Sequence, residues 1–278
     1  MIGPTQRLKR AVKPFLVQVV WGYDSAGLVK ALRSLGLEPG DAVMIHCGFE
    51  PSHGFKGTPQ ELVEAFLSAV GPDGTVAMMS MPYNGMSSYE FLSKGNIFDV
   101  RRSISMMGIL TEIFRRRREV LRGLHPTHSV AAWGRRAEWL ISGQGEDLSP
   151  FGEGSPFARL VEADGKILLY DVPFTTMTFD HYLEHCIRDH LPVPLYRSEP
   201  MKGVVLDRQG NRREVRTWVL SEEVTGSRRS GILENELLRS RAMRKGRIGR
   251  STLMLGQARA MVAAVQQMVR EGRGFHQT

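Results

Sequence analysis

Apolar residues recur with helical spacing at Leu28, Ala31, Leu32 and Leu35. They lie between the polar pair Asp24-Ser25 and Gly36, which predicts a helix capped by Asp24 or Ser25 and stopped by the glycine. Past the turn Glu38-Pro39-Gly40-Asp41 the pattern becomes an unbroken apolar run, Ala42 to His46, and predicts a buried strand. Thr58-Pro59 opens a second helix reaching Val70, with proline at its first position, and Gly71-Pro72-Asp73-Gly74 turns the chain into a strand over Thr75 to Met79. Strand, crossover helix and strand imply parallel pairing through a right-handed connection. Residues 108–114 again look helical. Lys166 to Tyr170 predicts another strand, followed by a helical segment holding His181 to His185. That segment follows the strand's C-terminal end, where open α/β sheets place ligands. Residues 203–212 and 214–220 predict a hairpin about a Gly-Asn turn, and the Ala, Met and Gln content of residues 251–270 predicts one C-terminal helix. The expected fold is α/β, with a mixed, partly parallel central sheet and flanking helices. No repeat or linker interrupts it, so a single domain over 1–278 is expected, with 1–23 a candidate N-terminal extension.

Composition narrows the class. A 42% hydrophobic content is that of an ordinary globular protein, and no stretch approaches the ~20 apolar residues of a membrane span. Arg7, Lys9, Arg10 and Lys13 precede an apolar segment, Pro14 to Val20, that is short, is broken by Gln18 and lacks a small-residue cleavage site, so no secretory signal is expected. Two cysteines, Cys47 and Cys186, are too few for a disulfide framework and fit a reducing cytoplasm. The net charge of +8 and the runs Arg115 to Arg118 and Arg239 to Arg250 raise a nucleic-acid reading. Yet the first run sits where a helix C-terminus favours cations, and no zinc-finger spacing, RNP-like motif or clear helix-turn-helix accompanies either. The expectation is therefore no nucleic acid and no membrane partner; a basic surface equally suits a phosphorylated small molecule.

The run His181-Tyr182-Leu183-Glu184-His185 carries the candidate chemistry and supports two readings. As H-x-x-E-H it is an inverted zinc-hydrolase signature, with His181 and His185 as ligands and a third ligand drawn from Glu222, Glu223, Glu234 or Glu236. As His-x-x-Glu it is a metal-free base, an imidazole with a carboxylate on the same helical face.

The order of several motifs favours the second. Leu35-Gly36-Leu37-Glu38-Pro39-Gly40-Asp41, Val70 to Val76, Met107-Gly108 with Glu112 to Arg115, His125-Pro126-Thr127-His128-Ser129, Gly154-Ser155-Pro156, Thr176-Met177-Thr178 with His181 to His185, and Gly246-Arg247-Ile248-Gly249 follow one another along the chain. From about Ser25 to about Val262 the sequence resembles the aminoglycoside 3-N-acetyltransferase family. The resemblance implies the antibiotic N-acetyltransferase fold and transfer of an acyl group from acetyl-CoA or another acyl-CoA to an amine of an aminoglycoside or related amino sugar. A nucleotide-sugar or natural-product amine is the alternative acceptor.

The resemblance also implies roles. His181 is the general base and Glu184 its partner, with no metal. His185 is left to packing. His46, Cys47 and Gly48, whose amides can face cofactor oxygens, and His125 and Ser129, near the thioester, are cofactor-binding candidates. Arg247, Arg250 and Ser251 are candidates for its phosphates, placed just before the C-terminal helix, with surface solubility as the competing explanation. Glu112 is a candidate for binding a cationic acceptor. Thr175 stands where family members tend to carry aspartate and Asp180 where they carry an apolar residue, so both bear on acceptor choice. The expected partner is a small-molecule amine, and the family leaves room for a homodimer.

Overall fold

Val43 and Ile45 of the strand Ala42–Cys47 (β1) pack into one apolar layer and Met44 into another, so this strand is buried on both faces. In the computed structural model, which describes residues 20–277, β1 lies at the centre of a seven-stranded sheet. The strand Thr75–Met79 (β2) pairs parallel to it on one side. Lys166–Tyr170 pairs parallel on the other side and is numbered β6 in chain order. Leu121–Arg122 (β4) and Val130–Gly134 (β5) extend the β2 edge, and Met243–Ile248 (β9) and Ser251–Gln257 (β10) extend the β6 edge, all antiparallel. The order is β4-β5-β2-β1-β6-β10-β9, so the mixed, partly parallel sheet read from the sequence is present.

Local chemistry explains the helices that cover it. Asp24 accepts from the Gly27 amide at the start of Ser25–Leu35, and Gly36, at φ 114°, ends that helix in the left-handed region glycine tolerates. Thr58 and Glu61 form a reciprocal capping box on Pro59–Val70. These helices and Ile109–Arg115 cover one face of the sheet; Pro156–Glu162, Phe179–Cys186 and Ala258–Arg270 cover the other.

The hairpin prediction holds with shifted ends. Met201–Leu206 (β7) and Arg212–Thr217 (β8) pair antiparallel, with Asp207 accepting from the Gln209 and Asn211 amides across the turn and Gly210 at φ 89°. The hairpin belongs to a separate three-stranded sheet with Ile97–Asp99 (β3).

The single C-terminal helix expected over residues 251–270 is not observed. Residues 251–257 form β10 and the helix begins at Ala258. Leu253 and Leu255 enter one apolar layer and Met254 the other, and pairing to β6 and β9 satisfies the backbone on both edges. That alternation outweighs the helical preference of the composition. The basic segment before Pro14 and the apolar residues up to Val19 lie outside the described residues, as does most of the 1–23 extension. No helix among the described residues is long and apolar enough to cross a membrane.

Candidate active site

Phe174–Thr176 forms a single 3-10 turn after β6, and the helix Phe179–Cys186 starts at once behind Thr178. One turn of that helix sets His181 and Glu184 on the same face, with the imidazole Nδ1 3.1 Å from Glu184 Oε2. His181 lines a cavity of about 500 Å³, and among the described residues its Nε2 has no hydrogen-bond partner. Glu184 is fully buried. Burial alone would raise its pKa, but the neighbouring His181, His276 and Arg228 outweigh this and hold it well below the usual carboxylate range.

Arg228, which the sequence reading passed over, ties this centre together. Its Nε and Nη2 each donate to Glu184 at 2.7 Å, and its Nη1 stands 3.2 Å from Asp180 Oδ2. Nη2 is also 2.7 Å from His181 Nδ1. Nδ1 therefore faces both a donor and an acceptor. A lone pair there accepts from Arg228, whereas an Nδ1–H donates to Glu184, and only the second tautomer leaves Nε2 basic. His276 was missed as well. The last segment of the chain folds back so that Phe275 O accepts from the Arg229 amide, and His276 Nε2 comes to 3.0 Å from Glu184 Oε1.

Asp180, a sequence candidate for the acceptor, is not among the residues lining the His181 cavity. Its carboxylate is buried against Arg228, with Oδ1 3.7 Å from His181 Nδ1, and burial pushes its pKa up. Thr175 is exposed and lines no cavity with His181; Thr178 does. Glu112 is engaged by Arg115, by Arg116 and by the Ser105 amide, so its carboxylate caps its own neighbourhood rather than waiting for a cation.

A second cavity, of about 340 Å³, is lined by His46 and Cys47 at the end of β1, by Met106 to Gly108, and again by Thr178, which the two cavities share. His46 is buried, its Nε2 has no hydrogen-bond partner among the described residues, and burial pulls its pKa down to about 4, so the imidazole is neutral. Cys47 is held as a thiol by burial, its pKa pushed up to about 12. Gly48 is otherwise employed. Its amide donates to Tyr170 O, and a Cβ there would stand 2.8 Å from Asp171 O, so glycine is required for close backbone approach rather than for a free amide.

His125 and Ser129 serve the loop itself. His125 Nδ1 accepts from the Thr127 and His128 amides, Nε2 pairs with Thr217 Oγ1, and burial pulls its pKa down to about 3. Ser129 Oγ donates to Gly123 O and is buried. The member of this loop that reaches the His181 cavity is His128, packed edge-on to Phe151, which in turn packs on His181. Arg247, Arg250 and Ser251 do not precede a helix. Arg247 is exposed on β9, Arg250 is exposed with its guanidinium 5.4 Å from the Trp21 ring, and Ser251 is buried with Oγ 2.7 Å from Tyr23 Oη.

The zinc reading finds no support. His185 Nδ1 is paired with Tyr196 Oη at 2.9 Å, His181 Nδ1 is committed to Glu184 and Arg228, and among the described residues no group of three His, Cys, Asp or Glu stands together as a metal site.

Fold and site together define an α/β protein with a carboxylate-oriented imidazole in the wall of a cavity. The chain belongs to the aminoglycoside 3-N-acetyltransferase family, whose model matches residues 44–270. It is 30% identical over 176 residues to aminoglycoside N(3)-acetyltransferase III of Pseudomonas aeruginosa, covering 59% of this chain and 64% of that protein. The chain thus spans less than two thirds of the length of the curated relatives it matches. The crystal structure of aminoglycoside acetyltransferase AAC(3)-Xa superposes with a TM-score of 0.77 at 26% identity, over 94% of this chain and 98% of that one. The binary structure of AAC-IIIb with CoASH does so at 0.72 and 27% identity, over 92% and 99%.

Proposed function

We propose that the protein transfers an acyl group, acetyl in the simplest case, from acyl-CoA to an amine of an aminoglycoside or related amino sugar. The carrying observation is the held imidazole: Nδ1 against Glu184, in the wall of a cavity that shares Thr178 with a second one. Family membership, a relative named an aminoglycoside N(3)-acetyltransferase and a similar structure containing CoASH support donor and acceptor class.

The chemistry follows from the proton. An ammonium group has no lone pair, so the acceptor first releases one proton to solvent, and His181 Nε2 takes a second from the neutral amine as its nitrogen attacks the thioester carbonyl. Glu184, 3.1 Å from Nδ1 and held by Arg228, stabilises the imidazolium that forms. Collapse of the tetrahedral intermediate breaks the carbon–sulfur bond, and the leaving thiolate takes the proton back from Nε2. The cavity at His46 is the proposed seat of the acyl-thioester arm, with the neutral imidazole Nε2 as a polar contact. His181→Ala should lower kcat by at least about 100-fold in a thiol-release assay with acetyl-CoA and amino sugars. Turnover equal to the unsubstituted protein would refute the role.

A further inference from the structure

After the helix Ala258–Arg270, Gly272 at φ 69° turns the chain back towards the His181 centre. The residues that follow lie past the stretch matched by the family model. Phe275 is fully buried in the apolar cluster that also holds Phe179 and Leu183 of the His181 helix. The backbone is tied down on both sides of His276. The Arg229 amide donates to Phe275 O at 2.7 Å and the Gln277 amide to Ser227 O at 2.8 Å, with Arg228 and His276 opposed in an antiparallel bridge. The His276 side chain is 2% exposed, its Nδ1 is 3.0 Å from Ser227 Oγ, and its Nε2 stands 3.0 Å from Glu184 Oε1 with no other partner among the described residues.

A ring nitrogen facing a carboxylate must carry the proton, because two lone pairs would repel. His276 Nε2–H therefore holds Oε1, the oxygen that His181 does not use. Arg228 Nε donates to the same oxygen, and Oε2 is left between Arg228 Nη2 and His181 Nδ1. This division matters because Arg228 Nη2 also stands 2.7 Å from Nδ1, closer than Glu184 Oε2 at 3.1 Å. If the carboxylate swings away, Nδ1 loses its acceptor and takes a hydrogen bond from the guanidinium instead. The ring proton then sits on Nε2, and the base is lost. Asp180 cannot replace Glu184 as acceptor, since its Oδ1 is 3.7 Å from Nδ1, beyond hydrogen-bond range.

We propose that His276 is a positioning residue for acyl transfer: by holding Glu184 Oε1 from the folded-back segment, it keeps His181 in the Nδ1–H tautomer and leaves Nε2 free to take the substrate proton. This rests on His181 as the base in the acyl-transfer reading above.

Two substitutions separate this role from packing. Glutamine can place an amide N–H near the position of Nε2, whereas asparagine reaches only the position of Nδ1 beside Ser227. The tautomer is read without substrate, by nitrogen NMR of protein carrying isotope-labelled histidine, at a pH well above the ordinary imidazole value of about 6.5. His181 signals are identified by their loss in His181→Gln. The unsubstituted protein should show His181 protonated at Nδ1. His276→Asn should shift the proton towards Nε2 and lower kcat for thiol release from acetyl-CoA with amino sugars by about tenfold or more, with KM within about twofold. His276→Gln should keep the Nδ1–H tautomer and lose less than about threefold in kcat. His181 protonated at Nε2 in the unsubstituted protein, an unchanged tautomer and kcat in His276→Asn, or equal losses in the two variants overturns the proposal. A tautomer that shifts in His276→Asn and not in His276→Gln, with no acyl transfer by any form, leaves the positioning role standing and overturns the acyl-transfer reading.

Discussion

At the residue scale, the His181 centre depends on a balance of buried charge more than on one hydrogen bond. Arg228, with 11% of its side chain exposed, is the permanently charged group set against Asp180 and Glu184, which are 3% and 0% exposed, alongside the His181 and His276 imidazoles. Arg228→Met leaves two buried carboxylates facing each other and should cost about 3–5 kcal/mol in urea denaturation, with Arg228→Lys costing distinctly less. A loss below about 1 kcal/mol would mean that the cluster is solvated. Glu184→Gln keeps the shape but cannot stabilise an imidazolium, so kcat should fall by about 10- to 100-fold with KM little changed. His181 and Glu184 were legible because three-residue spacing fixes a shared helical face. Arg228 was not, since it lies 44 positions from Glu184 in a polar stretch that reads as surface. The surroundings of Asp180 and Glu112 were illegible for the same reason: a carboxylate's availability depends on which arginine folds against it.

At the element scale, caps and turns were the most legible features because they are local. The Thr58–Glu61 box has both reciprocal bonds, and Thr58→Ala should lower stability by about 1 kcal/mol in thermal or urea unfolding. A change near zero would show that packing alone holds that helix. The failure at residues 251–257 has the opposite origin. Leu253-Met254-Leu255 is too short to distinguish strand from helix, and its pairing partners, β6 and β9, come from elsewhere in the chain. With β10 in place, Ser251 became a buried hydroxyl beside Tyr23 rather than a helix-start contact for phosphate. Parallel pairing of β1 and β2 was legible because one crossover helix decides it, whereas the separate β3-β7-β8 sheet joins segments about a hundred residues apart.

At the scale of the whole molecule, several histidines are held neutral by burial, and this ties stability to pH. His46 and His185 are pulled down to about 4 and His125 to about 3, while His128 is pushed well below 6.5 by burial and by neighbouring histidines. In the unfolded chain each titrates near 6.5. Above that pH neither state binds the protons and the folded protein keeps its full stability. As pH falls from 6.5 towards 4, the unfolded chain takes up protons that the folded protein refuses, so stability declines through that window. For the fully buried His46 and His125 the loss approaches about 1.4 kcal/mol per group for each unit well below 6.5. Glu184, held below its usual range, continues the same trend below about 4.5 in the unfolded reference. Calorimetric melting between pH 7.5 and 4.5 should therefore show Tm falling steadily from pH 6.5 downward. His125→Gln, which removes one buried titrating ring, should flatten that slope even if it lowers Tm at pH 7.5. A Tm that holds constant down to pH 5 would show that these rings take up protons in the folded state and that the loop carrying His125 and His128 is open to water.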